Sequence, residues 1–381
     1  MKTLTPIAAA IAFAISGAAF AADNVTEQAQ YGHGNDAYAI QLGSDTKDNL
    51  ILQKQYGNYN KAAAEQANEH DSKAIQYQHG DANHANVLQY GGGYNHSVSK
   101  QIGDYNRSKT LQLNEYVSKS FHHQEGNGNK AKTLQAHGAY NVAKIKQSGN
   151  YGEASIKQVG SYGGVVVIKQ KGYWNETDVI QYGVGNYVGI HQKHGGLNDA
   201  HAHQTGNHND AHIDQKGWLN DADIHQPGDY NYARIKQRGY RNDAEIDQYG
   251  DHNDAVVRQR GRRNDADVDQ YSDKSYADIK QHGYRNDADI RQVYGKHHDA
   301  FIDQKGWYNE ADISQAGYYH YANAQQVGYG NDVYLGQIGK KHEAVAVQVG
   351  GYNDILVGQF GHCETALVLQ VGHGNSSVVF Q

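Results

Sequence analysis

An all-β solenoid is the fold class this sequence predicts: about 16 stacked two-strand rungs of 22–23 residues, forming two facing parallel sheets with cross-β, amyloid-like spacing. Three observations predict it. A unit of eleven residues recurs without pause from Asn209 to Gln315, as in NDADIHQPGDY and NDAEIDQYGDH, and a fixed internal period sets the architecture before any single residue is read. Within a unit, Asn220, Ala222, Ile224 and Gln226 fall on one side at period two while Asp221, Asp223 and His225 fall on the other, the alternation of a strand with one dry face. Finally, Asn opens most units, and its replacements (Ser72, Ser118, Gly152, Gly164, Ser275, His298, His320, His342, Glu364) all fall in alternate units except Gly152. The true repeat is therefore a pair of similar but inequivalent strands.

Taken in order, residues 1–21 combine Lys2, an apolar run from Ile7 to Ile15 and Ala19-Phe20-Ala21. That pattern predicts a cleaved secretory signal peptide, too short and too rich in small residues to span a bilayer. Residues 22–381 then form a single domain of 32 half-repeats, with a register Gln recurring from Gln30 to Gln381 in steps of 11 or 12, apart from one step of 14 before Gln55. No later run is apolar enough for a transmembrane segment. Gly stands two residues after the Gln in most units, as at Gly217, Gly228, Gly239, Gly250 and Gly261, and is expected to turn the chain. Where it is displaced, as at Gly138, Gly195 and Gly295, the step lengthens to 12 and the turn absorbs the insertion.

A two-strand rung cannot bury its apolar side alone, whereas copies stacked at about 4.8 Å pair every backbone group and make a rod about 75 Å long. Like residues then form columns. Asn209, Asn220, Asn231, Asn242, Asn253 and Asn264 at one end of the strands, with Gln215, Gln226, Gln237, Gln248, Gln259 and Gln270 at the other, are expected to build structural amide ladders. Each amide would donate to one neighbour and accept from the other, which removes the cost of burying it singly.

Composition fits a secreted, polar, repetitive chain, with 44 Gly, 30 Tyr, 2 Pro and a single Cys, Cys363, so no intrachain disulfide is possible. Loss of Lys2 leaves 33 basic against 41 acidic residues, a net charge of -8 that argues against nucleic-acid binding.

The 22-residue unit with internal Gln, Gly, Asn, Ala and Gln resembles the curlin repeat of major curli subunits. QYGGGYN (Gln89–Asn95), QIGDYN (Gln101–Asn106) and QYGVGNYVGIHQ (Gln181–Gln192) carry its Gln-x-Gly-x-x-Asn signature. The resemblance implies a functional amyloid of the biofilm matrix, a pilus-like cell-surface fibre serving adhesion. It implies export through the periplasm and an outer-membrane curli pore, with accessory chaperones and a minor nucleator subunit as partners. The chain holds far more units than such proteins commonly do, and no Gly-rich targeting segment separates signal from repeats.

Both terminal strands are expected to lack caps, and an open sheet edge recruits another chain, so head-to-tail self-assembly into a homopolymer is the predicted function. The alternative is a monomeric secreted adhesin or cation-binding surface solenoid. A carboxylate column of Asp221, Asp243, Asp265, Asp287 and Glu310 is expected to suffer like-charge repulsion that raises its pKa values and invites divalent cations. A solvated face that prevents lateral stacking, partly neutralised by Arg241, Arg263 and Arg285, is the plainer reading. His201 and His203 are expected to share one outer face, with His212 and His225 on neighbouring strands, as plain polar surface rather than metal ligands, and turn tyrosines such as Tyr59, Tyr94, Tyr105, Tyr140 and Tyr230 to pack the turns. No cofactor and no enzymatic activity are expected, since nothing breaks the repeat to single out a catalytic group and an Ala–Ile core one layer thick leaves no pocket.

Overall fold

A computed structural model describes residues 23–381, and the signal peptide expected over residues 1–21 lies outside the described residues. Thirty-two strands run from β1 (Val25–Tyr31) to β32 (Ser376–Phe380). The odd-numbered strands form one 16-stranded sheet and the even-numbered strands another, each strand pairing with the next but one in sequence. Because every rung visits both sheets before returning, all these pairs are parallel. Register is kept by residue type, with Gln215 opposite Gln237 and Gln237 opposite Gln259.

The alternation of the sequence explains the interior. Ala222, Ile224, Ala244 and Ile246 are fully buried while Asp221, Asp223, Asp243 and Glu245 between them are exposed. One continuous apolar cluster runs from Ala131 to Val368, and a small separate one joins Ile51, Ala64, Ala74 and Val87. The stretch between them corrects the expectation of an Ala–Ile core throughout. There Ser97, Ser99, Ser108, Thr110, Ser120, His122 and Thr133 occupy the inward positions and are buried. One inward column reads Gln53, Gln76, Ser99, His122, Ile145. His122 bridges the sheets, its Nδ1 2.7 Å from Ser108 Oγ and its Nε2 2.7 Å from Thr133 Oγ1. Small polar side chains replace apolar volume without disturbing the backbone ladder, Ser108, Thr110, Ser120, His122 and Thr133 hydrogen-bonded to one another and the Ser97 and Ser99 hydroxyls without a partner.

The turns differ from expectation in one respect. Gly217 adopts φ +125° and a Cβ there would lie 1.9 Å from the carbonyl oxygen of Gly239, so both conformation and close approach of the next rung require Gly. Gly228 is outside the left-handed region, yet its Cβ would meet the Gly250 oxygen at 2.2 Å. Left-handed geometry is also taken by the residue just before the Asn position, such as Leu219 (φ 55°), Tyr230 (φ 56°) or Arg241 (φ 52°). A bulky residue there costs about 1 kcal/mol, which the side-chain bonds of the following Asn offset.

Candidate self-assembly site

The register glutamines line up inside the sheets. Gln215 Nε2 donates to Gln237 Oε1 at 3.0 Å, and Gln237 to Gln259 at 3.1 Å, in the odd sheet. Gln226 donates to Gln248 at 2.8 Å, and Gln248 to Gln270 at 2.9 Å, in the even sheet. The second Nε2 hydrogen reaches backbone carbonyls across the interior, as from Gln215 to Asn220 at 3.1 Å.

The two Asn columns are not alike. Before the even strands, Asn242 Nδ2 donates to Asn220 Oδ1 at 3.0 Å and to the Gly261 carbonyl at 3.3 Å, and Asn264 repeats this on Asn242 and Gly283. Both amide hydrogens are used, and only an amide supplies two donors and an acceptor. Before the odd strands, Asn231 Nδ2 donates to the Gly250 carbonyl at 2.8 Å, and its Oδ1 accepts the Asn253 backbone N–H at 2.8 Å. One donor and one acceptor suffice there. Asn209 uses the same pattern on Gly228 and Asn231.

That lighter demand explains why substitutions gather in the odd column. Ser72 and Ser118 accept the next backbone N–H through Oγ, at 3.0 Å and 3.1 Å, and donate to Glu69 and Glu115. Both carboxyls are fully buried, and burial pushes Glu69 up to about 7. Farther along, His298, His320 and His342 are buried and stacked at 5.1 Å and 5.0 Å. His320 accepts the His342 backbone N–H on Nδ1, so its Nε2 carries the hydrogen donated to the Ala316 carbonyl at 3.1 Å. A neutral imidazole thus copies the amide, and burial holds His320 down at about 4. His342 meets the Glu364 carboxylate at the end of the stack.

On the outer side of the even sheet, Asp221, Asp243, Asp265, Asp287 and Glu310 stand in one column, with Asp223, Glu245, Asp267 and Asp289 in a second. Burial against neighbouring side chains, not the expected like-charge repulsion, is the largest cause of their raised pKa values; like charge adds to it at most of these positions but not at Asp223 or Asp287. Asp243 is pushed up to about 6, Asp289 to about 6 and Asp267 to about 7. Arg241 and Arg285 do not neutralise the column. They turn onto aromatic rings, Arg241 5.3 Å from Tyr240 and Arg285 5.4 Å from Tyr284, while Arg263 reaches the Tyr284 hydroxyl at 3.3 Å. Among the described residues no three His, Cys, Asp or Glu side chains come together as a metal-holding group.

The histidines divide between the sheets. His201, His203 and His225 lie on the even sheet, and His212 on the odd sheet, because the half-repeat alternates faces. His201 is raised to about 9 by its hydrogen bond to Asp199. A depression of about 510 Å³ lined by Arg107, Lys109, Lys130, Lys132 and Glu153 opens on the outer face, where the expectation of no pocket does not hold. It is bounded by long flexible side chains, of which Lys130 and Glu153 pair at 2.9 Å.

A family model, the curlin associated repeat, matches residues 194–217, 239–271, 273–306 and 309–339. The chain carries curlin-type repeats over these four stretches. No curated protein matches the chain. The matched curlin repeats all fall where the interior is Ala with Ile, Val or Leu, and together with the solenoid fold they are those of a structural protein. No helix among the described residues is long and apolar enough to cross a membrane.

Reading the sequence alone passed over Glu69, Glu115 and His122. A signal for the first two is present in NEHDS and NEYVS, where Glu stands three residues before a Ser that replaces Asn and the motif returns at two rungs' distance. His122 had no such signal.

Proposed function

We propose that this chain is a secreted structural subunit whose copies stack end to end into curli-type amyloid fibres at the cell surface. The observation that carries this is the in-register pairing of the same residue types along each sheet, Gln on Gln and Ala on Ala. The flank that one rung offers the next inside the chain is thus the flank a terminal rung offers another copy. Head-to-tail joining of that kind does not close and makes a fibre. A nucleating minor subunit, an outer-membrane pore and accessory chaperones belong to the same proposal, which adhesion and biofilm matrix formation would complete. The test is incubation of the mature chain followed by negative-stain imaging and fibre diffraction. Unbranched fibrils with a reflection near 4.8 Å along the axis are expected. A folded β-rich chain that stays monomeric for days at high concentration would overturn the reading in favour of a monomeric solenoid adhesin.

A further inference from the structure

The two outer faces of the same three rungs carry opposite charge. On the odd sheet, strands β19 (Tyr232–Tyr240), β21 (Asp254–Arg262) and β23 (Tyr276–Tyr284) point Arg234, Lys236, Arg238, Arg258, Arg260 and Lys280 outward. All are exposed except the half-buried Lys236. Two acids accompany them, Asp254 and Asp278, and Asp278 is already held by Arg258 at 2.7 Å and Lys280 at 2.8 Å. On the even sheet, at the same levels of the stack, Asp243, Glu245, Asp247, Asp265, Asp267 and Asp269 point outward with no cation among them. The next even strand adds Asp287 and Asp289 against Arg291.

From this we propose that the basic odd face of one copy docks on the acidic even face of a second copy, packing parallel stacks side by side. The faces lie at equal height. A copy displaced along the sheet normal by two sheet spacings, about 20 Å, therefore sets cation columns against carboxylate columns at the same repeat with no axial shift. A polyanion would find only the odd face and be repelled by the even one, whereas another copy satisfies both at once. The contact is heterologous and does not close, so it grows into rafts of aligned fibres. It also gives cation partners to Asp243, Glu245, Asp265 and Asp267, whereas among the described residues only Asp247 nears His225 at 3.8 Å and Asp269 faces Arg291.

This deepens the fibre reading, although the docking step needs only the folded chain. Two variants of the mature protein test it, Arg234→Glu/Lys236→Glu/Arg258→Glu/Arg260→Glu with two acidic faces and Asp243→Lys/Glu245→Lys/Asp265→Lys/Asp267→Lys with two basic ones. Each alone should lose lateral association, read as a several-fold drop in low-speed pellet and in bundle width, while an equimolar mixture regains it. Raising salt from 0.01 M to 1 M shortens the screening length from about 30 Å to about 3 Å and should disperse wild-type bundles without dissolving single fibres. Gln and Asn at the same positions, which preserve shape, should lose association without rescue on mixing. Docking is overturned if either charge-reversed variant bundles like the parent, if mixing restores nothing, or if the parent associates only when polyphosphate is added. Absence of fibres in the parent with mixed association intact sinks the fibre reading and leaves docking standing.

Discussion

Rungs between residues 50 and 135 and rungs from residue 143 to 368 share one backbone register but not one interior. In the later rungs most strands bury two apolar side chains, commonly an Ala and a branched aliphatic as Ala244 and Ile246 do, and each such Ile contributes about 1.5–3 kcal/mol. In the earlier rungs those columns pass through Gln53, Gln76, Ser99 and His122, and the hydroxyls of Ser97 and Ser99 are buried without a partner, at about 1–3 kcal/mol each. What the two regions have in common is the Gln ladder, unbroken through Gln78, Gln101, Gln124 and Gln147. The contrast teaches that backbone pairing and amide columns define the rung, and the apolar filling sets its strength. Stability in a stacked array is a sum of rungs and their interfaces, so the polar stretch is where the solenoid should open first.

The largest effect should come from breaking the stronger region. Ile246→Lys places an unpaired ammonium among fully buried Ala and Ile, at a cost of several kcal/mol, and should abolish assembly. Asp247→Lys, one residue on and outward, should be tolerated. Assembly kinetics and urea midpoints check both, and equal effects would show that inward and outward sides behave alike.

A smaller, opposite effect should come from mending the weaker region. His122→Ile with Ser108→Ala and Thr133→Val removes the bridge and its partners together and joins the two apolar clusters. Hydrogen exchange in residues 97–135 should then slow, with a gain of about 1–3 kcal/mol in local stability. Faster exchange in that stretch would mean that the hydrogen-bonded His122 bridge holds these rungs better than apolar packing does.

The legibility of this fold in its sequence follows the same division. From Asn209 onward the eleven-residue period, the alternation and the paired half-units are enough to place every strand in its sheet, because each level of the pattern repeats the others. Between residues 66 and 141 the period persists while inward positions turn polar, and a hydrophobicity pattern cannot say whether a Ser or His at an inward position is buried. Glu69 and Glu115 escape for a related reason. Glu69 ends strand β4 (Lys61–His70) opposite Gly92, and Glu115 lies in a turn where a Cβ on Gly138 would come 3.1 Å from its Oε1, relations 23 residues away. The opposed charge of the two faces was visible only in part, since the acidic column can be read within one half-unit but the basic one emerges when alternate half-units are assigned to the other sheet.

The smallest effects, and the ones that sharpen the comparison most, are in pH. Burial holds His122 down at about 3 in the fold against 6.5 when unfolded. Its contribution is therefore full above about 6.5 and is lost as pH falls towards 3, so the early rungs weaken in mild acid. The acidic columns of the later rungs run the other way. Asp243, Asp267 and Asp289 sit at about 6 to 7 against 3.8, so their contribution is full below 3.8 and lost as pH rises through 6 to 7. Glu69, raised to about 7, opposes His122 within the early rungs, which is why variants are needed to separate the terms. Hydrogen exchange between pH 4.5 and 7 should show His122→Leu removing the acid weakening of residues 97–135. Asp221→Asn/Asp243→Asn/Asp265→Asn/Asp287→Asn should flatten the pH dependence of residues 220–290 and speed assembly at pH 7. Millimolar calcium should speed assembly of the parent but not of the Asn variant, and magnesium should do the same, since screening needs no chelating group and none is formed. A calcium response that magnesium fails to reproduce would mean coordination by the column, and a parent-like pH profile in the Asn variant would mean that the column is only a solvated face.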